Sequence, residues 1–127
     1  MAQSAELQDN PEPWQPMYDK VMEVHDAVMP EISTITKLKK SLGTYAENNT
    51  ATLDEATKTL ILDHKTALTK ADEAMWDWMH KFKQPEKGQN VEDVDAYLKT
   101  ELASISEVSD MMTTSIKDAK AFLETTK

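Results

Sequence analysis

The sequence predicts an all-α fold: an antiparallel up-down-up three-helix bundle with long helices over about 13–42, 51–82 and 91–125. Three observations lead there. Only two glycines occur, Gly43 and Gly88, and each sits in a polar stretch that reads as a loop, "SLGTYAENNT" and "KQPEKGQN". Between these loops apolar residues recur at steps of three and four, the spacing of one helix face, and nowhere alternate as a strand requires. Hydrophobic residues make up 39% of the 127 residues, enough for one packed core in a chain of single-domain length.

In the first segment the apolar series is Trp14, Met17, Val21, Val24, Val28, Ile32, Ile35, Leu38 and Leu42. Asn10 before Pro11, or Glu12 before Pro13, suits its start, and Gly43 suits its end. Pro30 lies inside the run and lacks the N–H that would bond the Asp26 carbonyl, so it either kinks this helix or splits it. The second series is Leu53, Leu60, Ile61, Ala67, Leu68, Ala71, Met75, Trp78, Met79 and Phe82, with Thr50 or Thr52 as cap. The third is Val91, Val94, Leu98, Leu102, Ile105, Val108, Met112, Ile116, Ala119 and Leu123. There, Asn90 followed by Asp93 resembles a capping box. About 30 residues per helix gives a bundle roughly 45 Å long. Residues 1–12 read as a flexible, proline-rich N-terminal segment, and 13–127 as a single domain.

Composition narrows the function. Fourteen basic against 23 acidic residues leave a net charge of -9, which repels phosphate backbones and argues against nucleic acid as a partner. No window is apolar enough or long enough to span a membrane. Cysteine is absent, which excludes disulfides, thiolate metal sites and thiol catalysis, and suits an oxidising compartment without requiring one. "MAQSAELQDNPEP" has neither a basic n-region nor an apolar h-region, so no signal peptide is expected in this chain. Catalysis is not expected either. The carboxylates are spread over helix surfaces, no glycine-rich phosphate loop exists, and "EVHD" misses the Glu-x-x-His spacing of diiron bundles.

The stretch "EAMWDWMHKF" (73–82) is the most unusual. Met75, Trp78, Met79 and Phe82 continue the core stripe, and methionine fills such cores readily. Trp76 and His80, four apart, lie off it. On the first helix Tyr18, Met22, His25 and Met29 form a second row beside the core row. Folded antiparallel through the first loop, with residue 42 facing about 52, Tyr18 comes level with Trp76, and Tyr97 lies near the same level. Six of the eight aromatics (Trp14, Tyr18, Trp76, Trp78, Phe82 and Tyr97) then gather toward one end. In one reading the N-terminal segment caps that end and folds Trp14 over Trp76. In the other, Trp14, Tyr18, Met22, His25, Trp76, His80 and Tyr97 bind a protein partner or a second copy of the chain, since Trp, Tyr and Met are enriched at interfaces. No cofactor is required by either. A separate alternative is a copper site built from Met22, His25 and Met29 with His64, Met111 and Met112, because imidazole and thioether without thiolate suit copper better than zinc.

The segments "YDKVMEVHDAVMPEISTITKLKKSL" (18–42) and "ADEAMWDWMHKF" (71–82) resemble a family of small helical lipoproteins of Bacteroidota, often labelled viral A-type inclusion proteins. His25, Asp26, Met29, Pro30, Leu38, Lys39 and Lys40 match an HD-x-x-MP…LKK-like element. Met75, Trp78, Met79, His80 and Phe82 match an M-x-x-WMH-x-F-like element. The resemblance covers most of residues 18–123. It implies a periplasmic or outer-membrane-anchored protein with a lipid anchor in its full-length precursor, and no assigned biochemical role. The lipidated cysteine usual in the family is missing here, which leaves a cytoplasmic location open. Together these readings point to a non-enzymatic envelope interaction or structural module.

Overall fold

The computed structural model describes residues 12–126, and the expected flexible segment lies outside them except for Glu12. Four α-helices follow one another: α1 (Gln15–Val28), α2 (Glu31–Asn48), α3 (Glu55–Lys81) and α4 (Val91–Thr125). Among the described residues there is no strand. The three expected helical segments are present, and the first is divided in two.

The division falls at Pro30. The Met29 N–H still bonds the His25 carbonyl at 2.9 Å. Beyond it the Ile32 and Ser33 N–H groups reach back only three residues, to Met29 (3.2 Å) and Pro30 (3.3 Å). The backbone nevertheless stays right-handed helical at Met29 (φ -55°, ψ -42°) and Pro30 (φ -61°, ψ -21°). A proline ring costs the helix one N–H and crowds the preceding turn, but its φ is already helical. Hydrogen bonding is interrupted while the helical path continues, and the buried stripe crosses the break without losing step. Val21, Val28, Ile35 and Leu42, seven apart, are all buried.

The same seven-residue step organises the other helices. Ile61, Leu68 and Met75 are buried on α3, and Leu98, Ile105, Met112 and Ala119 are fully buried on α4. A repeat of seven keeps one seam of a helix facing its neighbours over many turns. Helix α4 packs against α1, α2 and α3, and α2 also packs against α3. Three members of the expected stripes stay out of the core: Leu60 (47% exposed), Val91 (41%) and the exposed Ala67.

The helix ends depart from expectation in ways that matter for register. Helix α1 begins at Gln15, with Pro16 in its first turn, where a proline's missing N–H costs nothing. Gly43 does not stop the first segment. Helix α2 runs through it to Asn48, because a glycine inside a helix costs only about 1 kcal/mol. A methyl added at Gly43 would meet Lys65 Nζ at an ordinary 3.6 Å. The stop comes from "ENNT" instead. Asn49 Nδ2 donates to the Tyr45 carbonyl (2.8 Å), and Thr50 Oγ1 donates to those of Ala46 (3.1 Å) and Glu47 (3.0 Å). These side chains take up carbonyls that the helix leaves unpaired. Neither Thr50 nor Thr52 caps α3. Asp54 does, accepting the Thr57 N–H at 2.8 Å, so α3 starts at Glu55 rather than 51. Helix α4 starts as expected, with Asn90 Oδ1 accepting the Asp93 N–H at 3.0 Å. Gly88 (φ +86°) supplies the left-handed residue of the preceding turn.

Two measurements check this packing. Leu68→Ala or Met112→Ala, each at a fully buried position, should cost about 2–5 kcal/mol in urea unfolding followed by circular dichroism. Leu62→Ala, at a 63% exposed position, should stay within about 0.5 kcal/mol. The Asp54 carboxyl is held below its ordinary pKa by the Thr57 hydroxyl first and the Thr57 N–H second. Its contribution is therefore complete above the ordinary carboxylate pKa and is lost as pH falls through the lowered one. Asp54→Asn keeps a capping oxygen without a titrating charge, so its melting temperature should fall less between pH 6 and pH 2 than the parent's.

Candidate functional site

The six residues that α2 gains past Leu42 shift the first segment against α3. Tyr18 lies against Phe82 (ring centroids 6.3 Å apart) and not beside Trp76. His25 lies against Trp78 at 5.8 Å. From this register comes a continuous aromatic cluster. Trp14 meets Tyr18 edge-on at 6.1 Å, Trp78 stacks on Phe82 at 4.7 Å, and Phe82 stacks on Tyr97 at 5.9 Å. Phe82, the first residue past α3, is its hub. Offset and edge-on ring contacts of this kind add about 0.5–1.5 kcal/mol each beyond burial.

Tyr18, Met22 and His25 of α1, Trp78 and Met79 of α3, and Phe82 and Gln84 of the following loop line an open cleft of about 270 Å³. All but Trp78 and Gln84 are half-buried, with apolar atoms left partly in contact with solvent. The His25 side chain is 14% exposed, and its Nδ1 lies 3.0 Å from Asp26 Oδ1. A carboxylate can only accept, so Nδ1 carries the hydrogen, and in the neutral ring the lone pair is on Nε2. Trp14 and Trp78 each bury an indole N–H that meets no acceptor, so both contribute through ring contact and burial alone.

The remaining expected residues separate into distinct places. Trp14 is buried (6% exposed) and underlies the cluster, so it cannot be a surface contact, while Trp76 is 41% exposed, and the cap expected from residues 1–11 lies outside the described residues. Tyr97 is committed internally, because its hydroxyl accepts the Lys83 N–H at 2.8 Å and ties the 82–90 loop to α4. Trp76 and His80 lie off the cleft, on the exposed side of α3. Trp76 Nε1 donates to Asp72 Oδ1 (3.1 Å), and His80 Nδ1 donates to the Trp76 carbonyl (2.8 Å).

The six-residue metal set does not converge. His64 is fourteen residues from Trp78 along α3, about 21 Å at 1.5 Å per residue, so it cannot share an ion with His25. It packs instead on Phe122 (5.1 Å), which meets Tyr45 edge-on at 6.1 Å. Met112 is sealed in the core, and Met29 packs against the core. Met111 borders a separate groove between α3 and α4. Among the described residues, no three of His, Asp and Glu gather as a metal-ligating group.

Helical spacing alone assigns Trp78, Met79 and Phe82 to the core and so misses them as cleft residues. Their presence in the WMH-x-F stretch is the available signal. Spacing also misses the Tyr45–His64–Phe122 cluster, although Tyr45 and Phe122 are the two aromatics left over from the other six. In comparisons with known proteins, no family model, no curated sequence and no solved structure matches the chain.

Tyr97→Phe keeps the ring stack on Phe82 and removes the acceptor for the Lys83 N–H. It should cost about 0.5–1.5 kcal/mol in chemical denaturation, with faster amide exchange confined to residues 82–90.

Proposed function

We propose that the chain is a non-enzymatic interaction or structural module of the cell envelope, joining a protein partner or a second copy of itself through an aromatic and methionine surface. Tyr18, Met22 and His25 with Phe82 and Met79 form its concave part. Trp76 and His80 form its exposed part, while Trp14 and Tyr97 brace it from within. The observation that carries the reading is the half-buried cluster around the open cleft: a monomer gains by covering such surface, and aromatic and Met side chains give the most area per residue.

An up-down-up arrangement of the three helical segments belongs to the same proposal. Its support is the opposed numbering of neighbours: Tyr18 with Phe82, His25 with Trp78, and Gly43 near Lys65. Between α3 and α4 the same trend appears, Phe82 with Tyr97 and His64 with Phe122. Envelope location rests on the resemblance to helical lipoproteins, with the lipid anchor placed in the precursor. Among the described residues no helix is long and apolar enough to cross a membrane.

Sedimentation velocity over a hundredfold concentration range, in a chelator-containing buffer, tests the reading. The parent should self-associate, and Trp76→Ala should weaken association about tenfold or more while leaving helicity unchanged. A parent that stays monomeric, and captures no purified envelope protein by cross-linking, would count against it.

A further inference from the structure

We propose that Met22, His25 and Met79 form a binding site for a soft monovalent metal ion, Cu(I), with the Trp78 ring closing one side. The three side chains line one cleft, two on α1 and one on α3, and Trp78 lines it with them. Their donors are two thioethers and one imidazole, a set that favours Cu(I) and its analogue Ag(I) over Zn(II) or Mg(II). Each methionine has three rotatable bonds, so its sulfur can swing onto an ion without moving the helix.

His25 is prepared for this role. Its Nδ1 hydrogen is held by Asp26 Oδ1 at 3.0 Å, so the neutral ring presents its Nε2 lone pair to an ion. Asp26 itself is 71% exposed, so it orients the ring without being part of the core. The Trp78 ring lies 5.8 Å from the His25 ring, so an ion held by the imidazole would have an indole for a neighbour. The partly buried, apolar surroundings from Tyr18 and Phe82 limit water around a weakly hydrated ion, and the net charge of -9 draws cations toward the surface. The site replaces Met29, His64, Met111 and Met112 of the sequence-derived set with Met79. It shares Met22, His25 and Met79 with the concave part of the interaction surface but needs no second chain, so metal binding by the monomer is measured separately from association.

The test is an anaerobic Cu(I) competition against a chromogenic Cu(I) chelator on the purified full chain. Intrinsic tryptophan fluorescence with Ag(I) serves as a second readout. One equivalent should bind and quench the fluorescence, and Trp78→Phe should remove most of the quench. Met22→Leu and Met79→Leu nearly conserve volume, and each should weaken binding about tenfold or more, while Met111→Leu leaves it unchanged. Asp26→Ala should weaken it about tenfold, and Asp26→Asn, which keeps an acceptor for Nδ1, should restore most of that loss. A parent that does not compete with the chelator overturns the proposal. So does binding that survives both methionine substitutions, or that falls equally in Met111→Leu. Sedimentation in chelator is blind to this site, so either result leaves the self-association measurement to be judged by itself.

Discussion

Everything in this fold hangs on the seven-residue seam. Val21, Val28, Ile35 and Leu42 on the first two helices, Ile61, Leu68 and Met75 on α3, and Leu98, Ile105, Met112 and Ala119 on α4 are buried at the same sequence step. Burying each of the larger side chains contributes about 1.5–3 kcal/mol, more than a surface ion pair in the chain can offer. The seam tolerates local defects for that reason. Pro30 removes a backbone hydrogen bond and Gly43 lowers helix propensity, yet Val28 and Ile35 flanking the proline and Leu42 beside the glycine remain buried.

The seam also fixes what the ends can do. Once α2 extends to Asn48, the first segment meets α3 in a register that sets Tyr18 on Phe82 and His25 on Trp78. The aromatic cluster, the cleft and the placement of Met22 and Met79 along it follow from that register. A different stopping point for α2 would place other side chains opposite α1.

Helix type and most of the buried residues are legible in the sequence, because neither a strand nor a loop sustains three-and-four apolar spacing over twenty or more residues. Helix ends are less so. Gly43 has the composition of a stop, but the energy it costs is small beside the burial of Leu38 and Leu42 around it. The true stop is a set of Asn and Thr side chains bonding back to carbonyls. That six-residue difference is why the site is only partly legible. Spacing singles out Tyr18, Met22 and His25 on α1, but levels them with Trp76 and His80 of α3 instead of Trp78, Met79 and Phe82. Levelling two helices by loop position carries any error in the loop straight across to the partner helix. The same error brings His64 toward Met29, when it lies beside Phe122.

The break at Pro30 shifts what holds α1 in place. Helix α1 is joined to α2 by a turn with weakened bonding, and its own packing is chiefly against α4 and the rings of the cluster. Buried Trp14, Val21 and Val28 hold it to the bundle where the backbone ladder is interrupted. Met22 and His25 ride on α1, while Trp78 and Met79 stay on the long α3. Whatever bridges the two helices at the cleft therefore ties α1 directly to α3, adding a link across the interrupted turn that α1's packing on α4 does not supply.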